Sequence, residues 1–310
     1  MSIGGAWFPV VGSVHAMSYP LPTGNDGLIG TIETVAARYE DTLLDIAVHY
    51  GIGQEEIVWA NPHVDRWLPG EGTPVIIPSS FILPRTPLKG LVLNLPEMRL
   101  YFYPKAGQGK TPVVETYPVS IGRQDWDTPQ GTTRIISKVK NPAWYPPDSI
   151  RLEHEQRGES LPRVVPPGPD NPLGNYALKL EIPGYLIHGT NKTFGIGLQA
   201  SHGCIRLSPG DIEQLFPQVA SGTAVRIVNQ PAKAGWLGDT LYLEVHPLLE
   251  NLQHGEDQAK ELVDAVHNAV SQALRDREVQ RDRRVNLNTV ALEAAIRSAS
   301  GLPVAIATLQ

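Results

Sequence analysis

From Gly90 onward, apolar residues come in short runs closed by Pro, Gly, Asn or Asp, a spacing that predicts closely packed β-strands. Leu91-Val92-Leu93-Asn94-Leu95, a turn at Pro96-Glu97 and Met98-Arg99-Leu100-Tyr101-Phe102-Tyr103 read as a hairpin. Further strands are predicted over 113–121, 132–139, 176–180, 185–188, 204–207 and 224–227, with a short helix over 211–216. Such a pattern predicts a β-sandwich or a closed β-sheet. Upstream the period changes. Leu43, Leu44, Ile46, Ala47 and Tyr50 follow helical spacing and Gly51 can cap that helix. Ile57, Val58 and Ala60 mark a second helix ending at Asn61-Pro62, and Val75-Ile76-Ile77-Pro78 closes a βααβ-like unit over 31–78. Beyond Pro231 a strand over 241–245 precedes a helix over 255–281, whose apolar face carries Leu262, Val263, Val266, Ala269, Val270, Ala273 and Leu274. A further helix is predicted over 288–298, and the charge run Arg275 to Arg284 reads as a solvated helix face. Residues 141–175, rich in proline and charge, predict either a lid over a site or a surface excursion.

Composition narrows the classes. The 310 residues are long enough for about two domains. Twenty-eight prolines and twenty-nine glycines favour turns and strand ends over a helical bundle. A net charge of -6 and the lack of a basic run argue against a general nucleic-acid binder. No stretch reaches the roughly 18 apolar residues of a transmembrane span. Residues 6–16 resemble the end of a secretory signal, with Val14 and Ala16 at the small-residue cleavage positions but no positive region before them. Residues 1–16 thus read as a shortened export signal or an ordinary N-terminus. The divisions expected are 1–16, the unit 31–78, a linker over 84–88, a mainly β domain over 89–229 and an α/β accessory segment over 235–310.

The single cysteine, Cys204, lies in Ser201-His202-Gly203-Cys204-Ile205-Arg206-Leu207, downstream of Ile187-His188-Gly189-Thr190. A thiol attacks carbonyls as the thiolate and has a free pKa of about 8.5, so it needs a base, a cation or aimed N–H groups nearby. This window supplies all three. A histidine ending one strand can face a cysteine opening its neighbour, which makes His188 a candidate base. His202, two positions from Cys204, shares its face in an extended segment and is the other candidate. Gly203 lets the backbone approach a substrate, and the N–H groups of Gly203 and Cys204 can hold an oxyanion. Arg206 can bind a substrate carboxylate, favour the thiolate or form a structural salt bridge. Ser201 reads as a turn or hydrogen-bonding residue. His188, His202 and Cys204 could instead be zinc ligands, although a fourth is not evident. His49, His63 and His246 carry no motif.

Residues 89–229 resemble the L,D-transpeptidase catalytic domain, also called YkuD. The likeness rests on His188-Gly189-Thr190 and Ser201-His202-Gly203-Cys204-Ile205-Arg206, on Phe194-Gly195-Ile196-Gly197 between them, and on Leu95-Pro96-Glu97-Met98-Arg99-Leu100-Tyr101. Residues 31–78 resemble a LysM module, which binds N-acetylglucosamine-containing glycans; Ala60-Asn61-Pro62 and Ile77-Pro78 carry that likeness, while the opening strand lacks the usual tyrosine-threonine start. Together they resemble the ErfK-type periplasmic enzymes of Gram-negative bacteria.

The resemblance implies a mainly β, sandwich-like catalytic domain with a small α+β module before it and a partly helical segment after it. It implies Cys204 as nucleophile, His188 as proton acceptor and donor oriented by the Gly189 carbonyl, His202 in a polarising role, and Arg206, Ser201 and Thr190 on the substrate side. No cofactor or metal is implied. The implied reaction is acyl transfer in peptidoglycan: attack on the diaminopimelate carbonyl of a tetrapeptide stem, release of D-alanine, and transfer from a thioester to an amine. That amine is either a second stem's diaminopimelate, giving a 3-3 crosslink, or the C-terminal lysine of an outer-membrane lipoprotein. Relatives are acylated by carbapenems. Transfer to water, giving a carboxypeptidase or amidase, and a noncatalytic glycan-binding scaffold are the alternatives. A LysM tether would raise the local concentration of stems, and its removal is expected to spare turnover of small soluble ones.

Overall fold

The computed structural model describes residues 17–24, 26–192, 195–249, 257–277 and 284–310. The signal-like residues 1–16, Phe194 and the outer ends of the helix predicted over 255–281 lie outside the described residues, as does part of the charge run 275–284. In chain order the elements are β1 Met17–Pro20, β2 Leu28–Gly30, β3 Glu33–Ala36, α1 Leu43–His49, α2 Gln54–Ala60, β4 Pro74–Ile77, β5 Ser80–Ile82, β6 Gly90–Asn94, β7 Arg99–Tyr103, β8 Val113–Pro118 and β9 Ile121–Gly122. There follow β10 Gly131–Lys140, α3 Asp148–Gln156, β11 Tyr176–Leu180, β12 Leu186–His188, β13 Gln199–Ser201, β14 Ile205–Arg206, α4 Pro209–Gln218 and β15 Ala224–Val228. The chain ends with β16 Ala232–Leu237, β17 Thr240–Val245, α5 Gln258–Asp276, β18 Val285–Leu287, α6 Thr289–Ser298 and β19 Val304–Leu309.

The protein is mainly β. Its centre is a nine-stranded sheet in the order β1-β8-β7-β6-β15-β10-β11-β12-β14, antiparallel except where β15 pairs with β6 and β12 with β14. The sheet curls, because Ser120, just past β8, exchanges backbone hydrogen bonds with Arg206 of β14 at 2.9 and 3.0 Å. Strands β6 and β7 are apolar almost throughout because both faces are covered. One face, with Leu91, Leu93, Leu100 and Phe102, packs with Ile135, Leu178, Ile187, Ile205 and α4 residues Ile212 and Leu215. The other, with Val92, Tyr101 and Tyr103, shares a core with Leu43, Ile46, Ala47, Ile57, Val75 and Ile77 of the N-terminal unit.

That shared core changes the expected arrangement. The N-terminal unit has the predicted elements: α1 starts at a Thr42/Asp45 capping box, and β3 pairs antiparallel with β4 around α1 and α2. It is docked, however, on the central sheet. Glu56 of α2 forms an ion pair with Arg99 of β7 at 2.5 Å, both side chains being buried, and Arg99 also donates to Thr116 Oγ1 at 3.0 Å. Strand β1, ahead of the unit, is a member of the central sheet beside β8. Removing the unit would strip the cover from Val92 and Tyr101 and strand a buried guanidinium, so the clean deletion expected of a tether does not follow from this fold.

Other boundaries also shift. The strand expected over 113–121 breaks between β8 and β9, and the segment 141–175 contains α3. The C-terminal unit starts at Ala232, ahead of the expected 235, because β16 pairs along its length with β17. A sheet in the order β16-β17-β19-β18 carries α5 and α6 around Trp236, Leu241, Leu243, Val266, Ala273 and Ile306. Strands β16 and β19 escaped the sequence reading because alanine, glycine and threonine dilute their apolar pattern, and only the neighbouring β17 makes them strands.

Candidate active site

Parallel pairing of β12 with β14 puts Ile187 opposite Ile205 and His188 opposite Arg206. Cys204 comes two residues before Arg206, just ahead of this strand seam, and the Arg206 charge acts on both the His188 imidazole and the Cys204 thiol. His188 is buried, and its Nδ1 lies 2.5 Å from the Gly189 carbonyl. Burial first, and then Arg206, lower its pKa to about 4, against the opposing carbonyls of Gly189 and Leu173. The ring is therefore neutral at pH 7; with Nδ1–H donating to Gly189, Nε2 keeps its lone pair.

Cys204 is partly buried, and Sγ lies 3.7 Å from the Gly184 carbonyl. Burial raises its pKa; the Leu186 backbone N–H and Arg206 oppose that shift without reversing it. At rest the thiol and the imidazole are thus both pushed toward their neutral forms. Burial lowers the Arg206 pKa, the thiol partly compensating. Among the described residues no carboxylate lies within ion-pair distance of Arg206, so none of them forms the structural salt bridge left open by the sequence. No bond of the Gly203 or Cys204 amide N–H to a protein acceptor is seen among the described residues.

The remaining candidates separate by contact. Gly203 has φ +91°, and a Cβ there would come within 2.8 Å of the Tyr185 ring, so side chain and conformation both exclude other residues. Its carbonyl accepts from Thr128 Oγ1 at 2.9 Å. Ser201 is fully buried and donates to the Cys204 carbonyl at 2.6 Å, which corrects its expected place on the substrate side: it braces the turn. Thr190 is buried too, and accepts from the Lys192 N–H at 3.0 Å, a bond internal to its own loop. His202 turns away to Glu153 of α3 at 2.9 Å and meets Trp126 edge-on, ring centroids 5.2 Å apart. Its donors do not gather with those of His188 and Cys204. Among the described residues the three donors that do converge within 4.8 Å are those of Glu97, Glu244 and His246, so the zinc arrangement considered from spacing is not built here.

The proline-rich segment takes part in the site. Asn171, fully buried, ties it together through the carbonyls of Pro142, Val165 and Pro166, and holds Leu173 N–H at 2.9 Å. Leu173 in turn reaches His188. Glu153 bonds both His202 and Arg123, and Arg123 first and His202 second hold its carboxyl down at about 2. Arg123, Trp126, Thr128, Glu153 and Tyr185 were not singled out from sequence; the turn residues after Ile121-Gly122 were the available signal, but nothing in the sequence places them against Gly203.

The L,D-transpeptidase catalytic domain family, YkuD, matches residues 89–227, the segment that carries this seam. The probable L,D-transpeptidase YbiS of Escherichia coli K12 is 39% identical over 306 residues, covering 96% of either chain. The chain belongs to the L,D-transpeptidase family. The probable L,D-transpeptidase ErfK/SrfK of the same organism is 41% identical, covering 94% of this chain and 92% of its own, and the probable L,D-transpeptidase YcfS is 38% identical over 93% and 88%. The similarity to these L,D-transpeptidases extends over the N-terminal and C-terminal units as well as the catalytic domain. The protein is an enzyme of the L,D-transpeptidase class.

Proposed function

We propose that this L,D-transpeptidase works on peptidoglycan tetrapeptide stems through a Cys204 thioester. The observation that supports this most is the seam: Cys204 directly precedes β14, His188 of β12 lies opposite Arg206, and among the described residues no carboxylate pairs with that Arg206. Cys204 Sγ attacks the diaminopimelate carbonyl while His188 Nε2 takes the thiol proton, so the thiolate forms as the substrate is attacked. The Gly203 and Cys204 N–H groups receive the oxyanion; losing one such donor typically costs about 3 to 4 kcal/mol of transition-state stabilisation. His188 then gives its proton to the departing D-alanine amine, and the thioester remains. An incoming amine attacks it, losing a proton to His188 and restoring the thiol. Arg206 pairs with a stem carboxylate, a partner that no described residue supplies.

The unit over 31–78 is proposed to act as a LysM-like glycan contact. Tyr39, Trp67 and Leu68 are exposed on the loops 37–42 and 61–73, offering flat apolar surface to sugar rings. The resemblance to ErfK-type enzymes supports a periplasmic location in a Gram-negative envelope, with peptidoglycan as partner and an outer-membrane lipoprotein lysine as one proposed acceptor. The test is mass spectrometry after incubation with disaccharide-tetrapeptide, with and without a peptide ending in the lipoprotein lysine, and with Cys204→Ala as control. Loss of D-alanine with an amine-linked product supports transfer and names the acceptor. Tripeptide alone makes the enzyme a carboxypeptidase, and no Cys204-dependent change ends the proposal.

A further inference from the structure

We propose that the N-terminal unit positions the nucleophile: α2 clamps the loop that leads into Ser201 and Cys204, so that Gly53 and Gly197 act as positioning residues of the active site. The loop after β12 has two holds. On one side Ser120 Oγ donates to the Gly195 carbonyl at 2.5 Å, and Ile121 N–H to Leu198 O at 3.1 Å. On the other, the first amides of α2 reach across from the N-terminal unit: Gln54 N–H donates to Ile196 O at 3.0 Å and Glu55 N–H to Gly197 O at 3.3 Å.

At this second hold the two backbones nearly touch. Gly197 has φ +85°, and a Cβ on it would sit 2.5 Å from both Gly53 Cα and Gln54 N. A Cβ on Gly53 would sit 3.2 Å from Gly197 Cα. The clamp is itself fixed. Glu56 accepts the Gly53 N–H at 2.9 Å and is ion-paired with buried Arg99, whose guanidinium lies 4.2 Å from the Phe81 ring centroid. Helix α2 cannot slide without separating that buried pair.

From Gly197 the path to the thiol is short. Residues 199–201 pair with β9, the Ser201 carbonyl accepts from Arg123 N–H at 3.0 Å, and Ser201 Oγ holds the Cys204 carbonyl. A displacement of the loop therefore arrives at Cys204 through covalent bonds and a buried hydrogen bond. Attack geometry is demanding: a misplacement of about 1 Å can cost about a hundredfold in rate.

The inference rests on Cys204 being the nucleophile. Its test uses Gly53→Ala and Gly53→Val in the full chain, because Gly53 has φ -72° and admits a side chain without backbone strain. Thr42→Ala, which removes the α1 cap in the same unit but away from the clamp, is the control. The readouts are kcat and KM on soluble disaccharide-tetrapeptide, the iodoacetamide alkylation rate of Cys204, and pull-down on sacculi. Expected are a graded fall in kcat reaching about ten- to a hundredfold in Gly53→Val, KM within about twofold, an altered alkylation rate, unchanged pull-down, and wild-type kcat in Thr42→Ala. Folded Gly53→Ala and Gly53→Val with wild-type kcat overturn the proposal; so does Thr42→Ala losing as much as Gly53→Val. If Gly53→Val does not fold, Gly53→Ala decides alone. Turnover surviving in Cys204→Ser would bring down the underlying reading instead, whereas an inactive Cys204→Ser beside a fully active Gly53→Val brings down only the clamp.

Discussion

Two buried histidines of this protein sit among charges in opposite ways. At His246 every charge is answered. Lys233 Nζ contacts Glu97 and lies 2.7 Å from Glu244, which accepts from Ile82 N–H at 2.6 Å and lies 2.7 Å from His246 Nε2. Tyr101 OH closes on Glu97 at 2.5 Å. Burial alone would raise the Glu244 carboxyl, but Lys233, His246 and the Ile82 N–H hold it below the ordinary range. At His188 a charge is left over: among the described residues Arg206 has no carboxylate partner, and the thiol and imidazole are both pushed toward their neutral forms. The first group joins β5, β7, β16 and β17 and pairs its charges with one another, although His246 Nδ1 is buried without a hydrogen-bond partner among the described residues. A cation unpaired among the described residues is what distinguishes the seam, since a substrate carboxylate can complete it.

Substitutions can break this contrast, beginning with the largest effect. Cys204→Ser should lower kcat at least about 10⁴-fold with an unchanged circular dichroism spectrum; retained turnover would remove the thiol from the mechanism. Lys233→Met should instead cost about 3 to 5 kcal/mol of stability, because it leaves carboxylates buried without their cation. Urea titration would read this, and adding Glu244→Gln should recover part of it while activity per folded molecule stays the same.

Arg206→Gln should lose about 1.5 to 3 kcal/mol of substrate binding, seen as a ten- to hundredfold rise in KM, with the alkylation midpoint of Cys204 moving further above about 8.5. An unchanged KM would deprive Arg206 of its carboxylate role. The smallest effect is a sign. His188, with a folded pKa of about 4 against an unfolded value near 6.5, contributes stability that is lost as pH falls through that interval. Asp211, buried and raised to about 6, contributes in the opposite sense: its share is full below about 3.8 and is lost as pH rises through 6. Between pH 4 and 6 the two offset each other. Asp211→Asn should therefore steepen the acid loss by about 1.4 kcal/mol per pH unit relative to wild type, and His188→Asn should tilt it the other way. Urea midpoints at pH 4.5 and 6 decide; equal slopes in all three proteins would show that neither group is perturbed.

Much of the fold was legible because its strands are apolar runs between turn residues. The 132–139 prediction became β10 at Gly131–Lys140, and 224–227 became β15 at Ala224–Val228. Helices α4 and α6 were expected over 211–216 and 288–298; in the structure Ser208 and Asn288 cap their starts. Helix α3 was not, since only Ile150 in it is buried and the surrounding prolines mask its period. At the site, the motif put Cys204, His188 and Arg206 within one short window. It could not say where their neighbours come from: Glu153 lies 49 positions from His202, and Tyr185 meets Gly203 only once β11 and β12 have turned back.

The sequence by itself determined the reactive groups and the strands that carry them, because a lone thiol, its flanking histidines and alternating apolar runs are local properties. Tertiary structure decided their states and their company. Burial at the seam makes the thiol and imidazole neutral, no carboxylate among the described residues pairs with Arg206, and packing of α2 on the central sheet turns a module that reads as a separable tether into part of one core. Desolvation and charge pairing depend on what lies a few ångströms away in space, and that distance is set only when residues far apart in the chain share an interior.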